Sequence, residues 1–191
     1  MPDSYEIAIR DLSPTREDHM PKFLSARRLG IKPAEHRALV RVAEIIGASA
    51  YAPDDELISP DVNEAEATTG LSFNMGWQAK AYDCGTSCCI GGHVSLHMQG
   101  VDLSAEHICI TADERDEAQA YVNQSDPSLH GYGPLSPLYY PGHNNNGCCS
   151  MSVMDAARPG DAVHAIRNFL TTGRPEWEEV IRQRVMREAL S

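Results

Sequence analysis

Basic residues are scarce: 16 Lys and Arg face 27 Asp and Glu in 191 residues, a formal charge of −11. A surface of that sign repels phosphate backbones and anionic membranes, so nucleic acid and membrane are disfavoured as partners. No apolar run approaches the roughly 18–20 residues that a membrane span needs. The start Met1-Pro2-Asp3-Ser4-Tyr5-Glu6 has neither a basic n-region nor an apolar h-region, so the expectation is a cytoplasmic protein. There is no internal repeat, no heptad pattern and no compositional extreme, which excludes a solenoid, a coiled coil, a fibre and a wholly disordered chain. Also missing is the spaced cysteine framework of a secreted scaffold. Four of the six cysteines fall in two adjacent pairs, Cys88-Cys89 and Cys148-Cys149, and read as thiols or metal ligands.

What is present is 42% hydrophobic residues in a length that suits one compact domain. Residues 1–32 mix charge with short apolar pieces and read as an N-terminal arm, with Ser13-Pro14 as a helix start. From Pro33 to Ile46, Leu39, Val42, Ala43 and Ile46 recur at helical spacing, and Gly47 suits the stop. The stretch 51–70 is acidic and poor in apolar residues, a surface loop. Thr86 to Gln99 reads as a helix closed by Gly100. Ile108-Cys109-Ile110 reads as a short strand, and Thr111 with Glu114 as a capping box opening a helix to about Val122. Residues 124–150 are rich in Gly, Pro and Asn and form a long loop-rich insertion. Two helices end the chain. The first follows Pro159, carries Ala162, Val163, Ile166, Phe169 and Leu170, and stops at Gly173; the second starts at Pro175 with Trp177, Val180, Ile181 and Val185 inward. The expected fold is mainly α: one helical domain over 33–191 with a C-terminal helical hairpin and at most a small β element.

Chemistry concentrates in Asp83-Cys84-Gly85-Thr86-Ser87-Cys88-Cys89-Ile90-Gly91-Gly92-His93-Val94-Ser95-Leu96-His97. If the segment is helical from Thr86, then Cys89, His93 and His97 fall at i, i+4 and i+8 along one face. A zinc ion is the cofactor that such a face would hold, with Cys148, Cys149, His143 or water as the fourth ligand. Against zinc, there is no C-x₂-C knuckle, three ligands at that spacing drift by about 40° at each step around the helix, and cysteine often packs as a small apolar group. Cys84 sits at the expected helix start, where unsatisfied N–H groups favour a thiolate, and His143 with Asn144 to Asn146 could serve as its base and orienter. Asp83-Cys84-Gly85 resembles the Asp-Cys-Ser-Gly of small papain-like cell-wall peptidases, although too few strand patterns exist here to carry their sheet. Gly91 and Gly92 each cost about 1 kcal/mol in a helix relative to alanine. With Cys88 and Ser95 they make a smooth face that lets another element approach closely. Trp77, Tyr139, Tyr140 and Trp177 read as core and loop anchors.

Phe73-Asn74-Met75-Gly76-Trp77, the Cys84-Gly85-Thr86-Ser87-Cys88-Cys89-Ile90-Gly91-Gly92-His93 run, Leu138-Tyr139-Tyr140-Pro141, and Ala165 to Gly173 with Trp177 behind it together resemble a set of uncharacterised bacterial and phage proteins. Those share a C-G-T-x-x-C-x-x-G-[HW] core, an aromatic-Tyr-Pro step and a late helix ending in Thr-Gly before a Trp. The resemblance spans about residues 36–177 and brings no function. It implies that Cys84, Gly85, Thr86, Cys88 and Gly91 or Gly92 belong to a common core, with Cys89, His97, Cys148 and Cys149 outside it.

Three function classes follow. The first is a small acidic, non-enzymatic binding or accessory protein that acts through a protein partner. The second is a cysteine-dependent hydrolase using Cys84 with His143. The third is a zinc-stabilised domain using Cys89, His93 and His97. Binding stands first because every conspicuous residue has an adequate packing explanation. A DNA mimic is disfavoured, since the carboxylates form no regular array.

Overall fold

The structure is a computed structural model that describes residues 22–48, 70–73, 75, 80–82, 85–104, 108–141, 153 and 156–191. Its described part is mainly helical. Pro33 fixes the first turn of the long helix α2 (Pro33–Gly47), and Glu35 closes its N-terminus by accepting the Lys32 amide at 2.7 Å. The 3.6-residue spacing then buries Ala38, Leu39, Val42, Ala43, Ile45 and Ile46, each large side chain contributing about 2 kcal/mol of transfer free energy. Before it, α1 (Ala26–Leu29) is capped by Ser25 and closed by Gly30 in the left-handed region at φ 71. Leu29 and Ile31 join the core, and the Leu24 amide donates to the Leu170 carbonyl at 2.7 Å. Residues 22–32 of the expected arm are thus packed on the helices.

Three short strands follow: β1 (Gly70–Phe73), β2 (Lys80–Tyr82) and β3 (Gly85–Cys88). Their order is β1-β3-β2, with β3 parallel to β1 and antiparallel to β2, and Phe73 sits level with Cys88. Thr86 therefore does not open a helix. Gly85-Thr86-Ser87 are weak helix formers, and β3 has backbone partners on both edges, so pairing wins over the helical pattern. The chain turns at Cys89, and α3 (Ile90–Met98) starts one residue later.

The capping box at Thr111 and Glu114 opens α4 (Ala112–Asn123) as the sequence implies, with both reciprocal bonds made. Ile108-Cys109-Ile110 belongs to no strand among the described residues. It alternates Ile108 and Ile110 inward with Cys109 outward against the core. The first part of the Gly/Pro/Asn-rich stretch contains α5 (Pro127–His130) and α6 (Ser136–Tyr139). Residues 142–150 lie outside the described residues, as do Ser13-Pro14, Trp77 and the acidic stretch 51–69.

The C-terminal hairpin is α7 (Pro159–Thr172) and α8 (Trp177–Glu188), broken at Gly173 with φ 83. Ala162, Val163, Ile166, Phe169 and Leu170 are all buried. In α8, Trp177 and Val180 face inward and Ile181 packs partly against the core, but Val185 is 51% exposed. The inward position of the next turn belongs to Arg184, held at 2.9 Å by the buried Asp161. Packing runs in the order α8, α7, α2, α3, α4, so the β3–α3 turn and α3 lie deep in the molecule.

Candidate functional site

Cys88 ends β3 and Cys89 is the N-cap of α3, in extended conformation at φ −75, ψ 177. That extended cap folds the strand back so that the first turn of α3 carries His93 to Cys88. His93 Nδ1 lies 2.7 Å from the Cys89 carbonyl and 3.2 Å from Cys88 Sγ, and the imidazole centroid is 6.1 Å from the Phe73 ring. All three residues of the turn are closed to solvent: Cys88 0%, Cys89 2%, His93 0% exposed.

The geometry fixes the tautomer. A carbonyl oxygen only accepts, so Nδ1 carries the proton, directed chiefly at the Cys89 carbonyl and shared with the Cys88 sulfur. An Nδ1 that is already protonated cannot take the Cys88 proton. Burial lowers the His93 pKa to about 4, against a smaller opposing effect of the Cys89 carbonyl. Burial, and then the neighbouring Cys89, push the Cys88 thiol well above its ordinary value. Burial also raises Cys89, partly offset by the Gly92 and Gly91 amides. At neutral pH the pair is a thiol beside a neutral imidazole, the opposite of the thiolate–imidazolium pair of a cysteine hydrolase.

The expected zinc face is not assembled as the sequence implied. Cys89 sits on the turn rather than on the helix, its carbonyl bound to His93, and His97 is half-buried in the last turn of α3. Among the described residues no three His, Cys, Asp or Glu side chains converge as a metal ion requires. The hydrolase residues Cys84 and His143 lie outside the described residues, and so do Cys148 and Cys149. His36 bonds the Leu24 carbonyl through Nε2 at 2.8 Å, while His130 and His164 are exposed.

Gly91 has a definite role. A Cβ there would stand 2.8 Å from Val122 Cγ2 and 3.1 Å from Tyr139 Cδ2, so α4 and α6 meet α3 at bare backbone. The phenol of Tyr139 belongs to a polar chain that sequence reasoning missed. Tyr121 donates to the buried Glu35 at 3.4 Å and lies 3.1 Å from the Tyr139 hydroxyl. Because Tyr121 has one proton and gives it to Glu35, Tyr139 is the donor in the second bond. The pairs are 86 and 18 residues apart in sequence, and no local pattern signals them.

A cleft of about 610 Å³ opens between α1, the segment entering α6 and the C-terminus of α7, lined by Leu24, Arg28, Leu29, Pro134, Phe169 and Thr172 among others. The surface it presents is more polar than apolar, since Leu29 and Phe169 are buried, and Arg28 is exposed among its lining residues. No protein-family model, curated protein or solved structure matches the chain. Among the described residues no helix is long and apolar enough to cross a membrane.

Proposed function

We propose that the chain is a small acidic binding protein that acts through a protein partner and does not catalyse a reaction. The observation that carries this reading is the Cys88–His93 contact. The one described thiol–imidazole pair is enclosed, neutral and committed to a backbone carbonyl, an arrangement that suits a packed core and leaves no nucleophile. The free thiols Cys88, Cys89 and Cys109 suit a reducing compartment, in line with a cytoplasmic site of action. Surface apolar groups are available for a partner in Val185, Met186 and Leu190 near the chain end, and in Leu129 and Tyr132.

Alkylation of the native protein with iodoacetamide at neutral pH, mapped by mass spectrometry, tests the reading. Cys88 and Cys89 are expected to stay unmodified and Cys109 to react at an ordinary thiol rate, with Cys84 no faster. Labelling of Cys84 tens of times faster than Cys109, lost in a His143→Ala variant, would replace the reading by the hydrolase. One equivalent of zinc in protein purified without chelators would replace it by the metal-stabilised domain.

A further inference from the structure

We draw no further inference here: the strongest candidate, the exposed basic side chains Arg27 and Arg28 on α1 and Arg37 on α2, is a set of solvated helix charges, and nothing in the structure shows what covers it.

Discussion

Gly91 and Gly160 are both the second residue of their helices, α3 and α7, so replacing either by alanine removes the same backbone freedom from the unfolded chain. Their surroundings differ. Around Gly160 there is no atom within 4 Å of an added Cβ, whereas at Gly91 that carbon would meet Val122 Cγ2 at 2.8 Å and Tyr139 Cδ2 at 3.1 Å. Neither neighbour yields easily. Val122 and Tyr139 are 2% and 1% exposed, and the Tyr139 hydroxyl is bonded to Tyr121. Gly160→Ala should therefore stabilise by about 0.5–1 kcal/mol through the unfolded state alone. Gly91→Ala gains the same amount and loses about 1–3 kcal/mol to overpacking, for a net destabilisation of up to about 2.5 kcal/mol. Urea unfolding followed by circular dichroism gives both values from shifts in midpoint at constant slope. In thermal scans the two variants should move in opposite directions, by about 2–4 °C per kcal/mol. If both alanines raise stability alike, α4 and α6 do not press on bare backbone at Gly91, and the close-approach account is wrong.

The pH dependence of stability has a defined sign. His93 has a folded pKa lowered to about 4 against 6.5 unfolded, so its contribution is complete above about pH 6.5 and is lost as pH falls towards 4, about 3 kcal/mol in all. Urea midpoints should fall over that window in wild type and stay level between pH 6.5 and 5 in His93→Asn; a level wild-type profile would refute the buried neutral imidazole. Arg184→Met should cost about 3 kcal/mol in urea, because Asp161, 2% exposed, would be left without its cation, and adding Asp161→Asn should recover part of the loss. A loss under about 0.5 kcal/mol would make it an ordinary surface pair.

How far the sequence reaches depends on whether the deciding force is local. Helices α2 and α7 are legible because an N1 proline, an apolar period and a stop residue agree, and α4 because its capping box is spelled out at Thr111 and Glu114. The β3–α3 segment was misread because its Gly, Thr, Ser and Cys residues carry no strong preference. Its strand exists through pairing with Gly70–Phe73 and Lys80–Tyr82, which lie upstream behind segments of no clear period. That single boundary shift changes the chemistry. With a helix from Thr86, Cys89 is a face residue beside His93 and His97; with a cap at Cys89, His93 meets Cys88 and a carbonyl instead. Val185 was assigned inward because apolar periodicity gives no place to an arginine. The buried partner Asp161, 23 residues earlier, is what draws Arg184 in.

The same non-local contacts prepare the cleft. Its α1 wall is tied to α7 by the Leu24 amide on the Leu170 carbonyl, and His36 takes up the Leu24 carbonyl. The segment entering α6 is held by Ser136, whose hydroxyl donates to the Ser125 carbonyl at 2.6 Å and accepts the Gly133 amide at 2.9 Å. The far end of α6 is fixed by the Trp177 indole, which donates to the Leu138 carbonyl at 3.2 Å. Glu35 links the corner between α1 and α2 to Tyr121 and, through it, to Tyr139. Each wall is thus anchored by its own hydrogen bonds, while the Arg28 guanidinium has no ion pair among the described residues. The Cys88–His93 turn, by contrast, is closed on itself in the core.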